Sequence, residues 1–139
     1  QVGVVQTAYA NGGSTKFLES LAEAVSKWDA PRVQLVLRCT KTGVKNLHRE
    51  ALGFPLGVYF EANGHGTLIC KKKELQAWAE AQGLSNTGAF SFLLQFVSLL
   101  NPATGDALAD LLAAEVCRAK LKISLAEWRI LYDEFPAVA

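Results

Sequence analysis

Between Gly57 and Cys70 two apolar runs are separated only by the polar, glycine-flanked segment Glu61-Ala62-Asn63-Gly64-His65-Gly66. Val58-Tyr59-Phe60 leads in and Leu68-Ile69-Cys70 leads out, which reads as strand, tight turn, strand. The reading crowds Glu61, Asn63 and His65 onto one hairpin tip. A carboxylate, an amide and an imidazole there can accept and donate hydrogen bonds to a cluster of neighbouring hydroxyls. An ionised carboxylate suits two adjacent hydroxyls best, because charge-assisted bonds are short and strong. Gly64 and Gly66 are expected to permit positive φ and to let a ligand approach the backbone. An ordinary hairpin whose polar residues face water would carry the same residues.

The rest of the chain fits around this hairpin as alternating strands and helices. Val2 to Thr7 reads as a buried strand ending in the turn Ala10-Asn11-Gly12-Gly13, after which Ser14 or Thr15 is expected to cap a helix to about Trp28. Asp29-Ala30-Pro31 stops that helix. Val33 to Cys39 is a second strand, Thr40-Lys41-Thr42-Gly43 a loop, and Val44 to Leu52 a short helix. Beyond the hairpin, helices are expected from Lys72 to Gln82 and from Thr87 to Leu100. A further helix is expected from Asn101-Pro102 to about Lys120, with proline at its first position, and a last one opens on the capping box Ser124-Leu125-Ala126-Glu127. Strands interleaved with helices, then a helical C-terminal part, predict one α/β domain over residues 1–139. Its expected form is a three-layer α/β/α sandwich with helices on both faces of a small mixed sheet.

Composition narrows the classes of function. Half of the 139 residues are hydrophobic, and a domain of this length buries roughly two thirds of its unfolded surface. The net charge of +1 and a single short basic cluster, Lys71-Lys72-Lys73, speak against nucleic acid as a partner. The longest apolar stretch, Phe90 to Leu100, is too short to span a bilayer and is broken by Ser91, Gln95 and Ser98, so no membrane partner is expected. Cys39, Cys70 and Cys117 are odd in number and widely spaced. They read as small buried hydrophobes in a reducing, cytoplasmic compartment, with no zinc spacing. Both ends read as cut from a longer chain.

Two further loops could carry chemistry. In Thr40-Lys41-Thr42-Gly43-Val44-Lys45-Asn46-Leu47-His48 a glycine between a strand end and a helix start exposes backbone N–H groups, and Lys45 supplies a point charge for an anion. Ligands of open sheets sit beyond the carboxyl ends of the strands, where this loop falls. The turn Ala8-Tyr9-Ala10-Asn11-Gly12-Gly13-Ser14-Thr15 could cradle a phosphate, although a plain strand-to-helix turn accounts for it more simply. His48 reads as packed or solvated. Asp106 and Asp110 read as complements to a helix dipole.

These motifs, in this order, resemble the third domain of the phosphoacetylglucosamine mutases, a branch of the α-D-phosphohexomutase superfamily. V-G-V-V-Q-T-A-Y-A-N-G-G-S-T (Val2 to Thr15) is similar to that domain's opening strand and turn. C-T-K-T-G-V-K-N-L-H-R-E-A (Cys39 to Ala51) is similar to its T-G-V-K-x-L-H loop, and G-V-Y-F-E-A-N-G-H-G-T (Gly57 to Thr67) to its sugar loop. L-N-P-A-T-G-D-A-L-A-D-L-L (Leu100 to Leu112) and the helix around Trp128 extend the likeness over nearly the whole chain.

The resemblance implies sugar recognition within an isomerase that interconverts N-acetylglucosamine 6-phosphate and 1-phosphate on the route to UDP-N-acetylglucosamine. In that reaction a phosphoserine donates its phosphoryl group and a bisphosphate intermediate turns round. It further implies that Glu61 and Asn63 hold the 3- and 4-hydroxyls, with Gly64 and His65 beside them. Thr42, Gly43, Val44, Lys45 and His65 would close over the sugar or its phosphate. The partners implied are a hexosamine phosphate and the enzyme's other domains. Mg2+ is implied for the full-length enzyme, but the family's serine, magnesium and terminal phosphate loops (T-A-S-H-N-P, D-G-D-A-D-R, R-P-S-G-T-E) do not occur in this sequence. No catalytic and no metal-binding residue is therefore expected here, and the chain by itself is expected to be inactive. Asn46, Arg49 and Gly13 depart from the residues of the family pattern. A non-catalytic binding or regulatory module, or the third domain of another phosphohexomutase, would share much of this pattern.

Overall fold

The computed structural model describes residues 1–29, 33–61 and 63–136. The expected helix stop at Ala30-Pro31, the turn residue Ala62 and the last three residues lie outside the described residues. The elements run β1 (Val2–Thr7), α1 (Gly12–Ser26), β2 (Leu35–Thr40), α2 (Val44–Ala51), β3 (Leu56–Phe60), β4 (Gly66–Cys70), α3 (Lys72–Ala81), α4 (Gly88–Phe96), α5 (Ala107–Leu121) and α6 (Leu125–Arg129). The four strands form one sheet in the order β2-β1-β3-β4. β1 pairs in parallel with β2 and β3, and the hairpin adds β4 antiparallel to β3, so the sheet is mixed as expected.

This order decides the layering. The β1-α1-β2 connection moves to one side of β1, and β2-α2-β3 returns across β1 to the other. Right-handed crossovers running in opposite directions place their helices on opposite faces. On one face Leu47 and Ala51 of α2, with Phe54, bury Val5, Tyr59 and Ile69. On the other, the Gln6 amide donates to the Thr15 hydroxyl of α1 at 2.8 Å. On that same second face Val97, Leu100 and Ala113, from the α4 and α5 region, bury Leu56 and Leu68. The three-layer arrangement follows from alternation along β1, where Gly3, Val5 and Thr7 are the buried positions. α3 and α4 share a satellite core of Leu75, Ala79 and Phe90.

Several element boundaries differ from the sequence reading. α1 is capped by Asn11, whose side chain accepts from the Gly13 N–H at 2.8 Å, so Gly12 and Gly13 lie inside the helix and Ser14 and Thr15 do not cap it. The β2 strand starts at Leu35 rather than Val33. α4 stops at Phe96, well short of Leu100. The largest departure is at Asn101-Pro102, which opens no helix. Asn101 Oδ1 accepts from the Ala103 N–H in a local turn, and α5 starts only at Ala107, capped by Asp106 through the N–H groups of Leu108 and Ala109. Aspartate is a strong N-cap residue and took over the role assigned to Asn101. The capping box at Ser124 and Glu127 does form. Of the cysteines, Cys39 is exposed rather than buried. Cys70 and Cys117 are half-buried, and burial pushes both thiols above the usual range.

Candidate functional site

Because β1, β2 and β3 are parallel, the turns at 8–11, 41–43 and 61–65 all leave the same edge of the sheet. Two of them are joined directly. The Glu61 carboxylate at the end of β3 accepts a hydrogen bond from the Gly43 N–H at 3.1 Å. Gly43 precedes α2 with φ +116°, and no side chain of its own segment caps that helix. Glu61 therefore supplies the missing acceptor from eighteen residues away. Its negative charge also complements the positive end of the α2 dipole.

The hairpin tip is ordered by its own backbone. The Glu61 N–H donates to the His65 carbonyl at 2.7 Å, and the Gly64 N–H donates to the Glu61 carbonyl at 3.0 Å. Gly64 has φ +89°, as expected, but Gly66 does not take a positive φ. It is the first residue of β4, and a Cβ there would run into the Tyr59 carbonyl. Asn63 Oδ1 accepts from the His65 N–H at 3.0 Å, which closes the tip and leaves the Asn63 amide group at the exposed end.

A cleft of about 560 Å³ opens beside this tip on the α2 face, a volume suited to a small-molecule ligand. Val44, Lys45 and His48 of α2 form one wall, Tyr59, His65 and Gly66 the floor, and the Ala103-Thr104-Gly105 loop the other wall. Among the described residues no carboxylate lines it, and Lys45 gives it a cation. Of the eight residues singled out from sequence, Val44, Lys45 and His65 share this cleft. Glu61 and Gly43 are joined by their hydrogen bond next to these lining residues in the chain, and Gly64 and Asn63 stand at the tip. Thr42 is exposed, with its carbonyl held by the Asn46 amide at 3.0 Å. Glu61 also borders a smaller cleft, about 360 Å³, on the α1 face with Gln6, Ser14, Tyr132 and Glu134.

Two contributors escaped the sequence reading. His48 Nδ1 lies 3.0 Å from the Tyr59 hydroxyl, with the rings edge to face at 5.7 Å. Burial, and then the Asp110 carboxylate, push the Tyr59 phenol above its ordinary range, so it remains a phenol at neutral pH. The 103–105 loop was hidden inside an expected helix. The signal that could have found it is Gly105-Asp106, a glycine before a strong helix cap. The Thr67 hydroxyl holds the loop by donating to the Asn101 carbonyl at 2.9 Å.

The first turn, a possible phosphate cradle from sequence, is occupied by the chain's own C-terminal segment. The Asn11 side chain donates to the Phe135 carbonyl at 2.9 Å and accepts from the Phe135 N–H at 3.0 Å. Among the described residues no group of three or more His, Cys, Asp or Glu side chains could hold a metal ion. The donor set does not fit Mg2+. No helix among the described residues is long and apolar enough to cross a membrane.

Residues 1–123 match the family model described as phosphoacetylglucosamine mutase AMG1, domain III. The chain belongs to the phosphoacetylglucosamine mutase family. It is 41% identical over 138 residues to the phosphoacetylglucosamine mutase of Sus scrofa and 42% identical over 137 residues to that of Candida albicans. In both comparisons 97% of this chain is aligned, with 23% of the relative. The chain thus spans about a quarter of the length of the mutases it matches, and it corresponds to domain III. Among solved structures, an N-acetylglucosamine-phosphate mutase in its substrate complex superposes with a TM-score of 0.79 at 40% identity, covering 98% of this chain and 24% of that one. The Aspergillus fumigatus mutase in complex with GlcNAc-6P and magnesium superposes with a TM-score of 0.78 at 37% identity, covering 97% and 25%.

Proposed function

We propose that this chain is the sugar-recognition domain of a phosphoacetylglucosamine mutase, an isomerase that interconverts N-acetylglucosamine 6-phosphate and 1-phosphate for UDP-N-acetylglucosamine synthesis. In this reading residues 1–139 form one domain of that enzyme, in the cytoplasm, and the catalytic serine and the metal loop belong to other domains. The observation that carries the reading is the domain III match over residues 1–123, with the sugar-loop and T-G-V-K motifs side by side at one cleft. The Aspergillus fumigatus mutase, a relative over this whole segment, binds GlcNAc-6P and magnesium.

The residues have separable roles. Glu61 is an acceptor for sugar hydroxyls, and the Gly43 N–H fixes its orientation. Asn63 offers both a donor and an acceptor at the tip, which suits hydroxyls of either geometry. Lys45 and His65 bring donors to the cleft for a sugar or phosphate oxygen, and Thr42, Val44 and Gly64 frame the approach. Interconverting two phosphate positions on one sugar requires the ring to bind in two orientations. A tip with several acceptors serves both.

The test is an activity assay of the full-length protein that contains this domain, with magnesium. N-acetylglucosamine 6-phosphate and 1-phosphate should interconvert with kcat/KM well above that for the glucose phosphates. A preference for glucose phosphates would move the domain to another phosphohexomutase branch, and no mutase activity with any hexose phosphate would overturn the reading.

A further inference from the structure

Tyr59 and His48 form a hydrogen-bonded pair that leaves one imidazole nitrogen over at the cleft. Tyr59 is 3% exposed, and burial, then the Asp110 carboxylate, hold its phenol above the ordinary range. The hydroxyl therefore keeps a proton that needs an acceptor. Among the described residues the acceptor within reach is His48 Nδ1, at 3.0 Å. A ring nitrogen that accepts carries no proton, so the imidazole has its N–H at Nε2. With the proton on Nδ1 instead, that N–H would donate to the hydroxyl oxygen and leave the phenolic proton of a buried residue unpaired, the costlier arrangement. The pair thus selects one tautomer, and edge-to-face packing of the two rings at 5.7 Å holds the imidazole in place.

We propose that His48 is a substrate-binding residue whose Nε2–H donates to an acceptor oxygen of the bound sugar phosphate, with Tyr59 as the residue that positions it. The inference rests on the mutase reading of this cleft. His48 is half-buried and lines the cleft, and Nε2 has no hydrogen-bond partner among the described residues. Lys45 stands three residues earlier on α2, so the two side chains share one face of the helix and bring their donors to the same space. Among the described residues no carboxylate lines the cleft, so a ligand oxygen meets these donors without an anionic competitor. A half-buried N–H also discriminates, because a ligand lacking the matching oxygen leaves it unpaired.

The test uses the full-length protein, isotopically labelled at the histidine nitrogens. The His48 resonances, assigned by their loss in His48→Phe, should report the Nε2–H tautomer, and Tyr59→Phe should turn them into a mixture of tautomers. N-acetylglucosamine 6-phosphate should shift the Nε2 resonance, with inorganic phosphate as the second probe. A shift with both assigns the oxygen to the phosphate and a shift with the sugar phosphate alone assigns it to the sugar, each in support of the proposal. An Nδ1–H tautomer in the wild type, or no shift with either probe, would overturn it. In steady-state assays His48→Phe, which keeps a ring packed on Tyr59, should raise KM and lower kcat/KM roughly tenfold, and His48→Gln, whose amide restores a donor, should recover part of that loss. A packing role alone would leave KM of His48→Phe within about twofold of wild type, which also overturns the proposal, and thermal unfolding checks that each variant is folded. If the wild-type protein shows no mutase activity, the functional reading fails, while the tautomer and the two titrations still decide whether Nε2–H binds a ligand oxygen.

Discussion

The carboxylate of Glu61, at the end of β3, accepts a hydrogen bond from the backbone N–H of Gly43, the N-cap residue of α2. This bond couples the orientation of the hairpin carboxylate to the geometry of a helix start. In the full-length enzyme Glu61→Ala should cost about 2 kcal/mol of transition-state stabilisation, roughly a thirtyfold loss of kcat/KM, because a charged acceptor disappears in both half-reactions. Gly43→Ala should also lower kcat/KM while leaving the carboxylate in place, since φ +116° strains any residue with a Cβ, at a cost of roughly 1–3 kcal/mol. Steady-state kinetics check both, and wild-type kcat and KM in Glu61→Ala would remove that residue from the site.

The second prediction concerns Asn11, which caps α1 and holds Phe135 by two hydrogen bonds at once. Asn11→Ala should destabilise the domain by roughly 1–2 kcal/mol, the upper range for a lost N-cap. Gly13→Ala should act in the same direction by a different route. A Cβ at Gly13 would overlap the Asp133 carbonyl, so the 133–135 segment would have to lift away. Urea unfolding reads the loss, and a faster proteolytic cut after residue 130 in Gly13→Ala reads the lifted segment.

Asp110 gives a pH prediction. Burial first, and then the neighbouring Asp106 carboxylate, raise its pKa above the ordinary value, although it sits in the first turn of α5 where the helix dipole favours a charge. Its buried Oδ1 has no hydrogen-bond partner among the described residues. A carboxyl raised in the folded state favours its protonated form there. Its contribution is thus neutral below the unfolded value of about 3.9 and becomes a growing penalty as pH rises through the raised value. Asp110→Asn should therefore have a higher Tm than wild type at pH 7, and the gap should close towards pH 3. A gap of equal size at both pH values would show that the carboxylate's charge is not its cause.

Where local signals were strong, the sequence reading and the structure agree closely. β1 spans Val2–Thr7 as expected, α2 starts at Val44, and the Ser124-Glu127 capping box forms, because each rests on residues adjacent in the chain. The reading failed where two acceptable local answers competed. Asn101-Pro102 and Gly105-Asp106 are both plausible helix starts. The second prevailed while the Asn101 carbonyl accepted a bond from the Thr67 hydroxyl, thirty-four residues away. The resulting 103–105 loop is a wall of the cleft that sequence alone did not place there.

The sequence by itself determined the alternation of strands and helices and the hairpin with its polar tip. Those follow from side-chain periodicity and turn chemistry, which act over a few residues. Only the tertiary structure decided that Glu61 would be oriented by Gly43, that Tyr59 would hold His48, and that the C-terminal segment would occupy the first turn. Each of these joins positions far apart in the chain, and the strand order β2-β1-β3-β4 is what brings their loops to one edge.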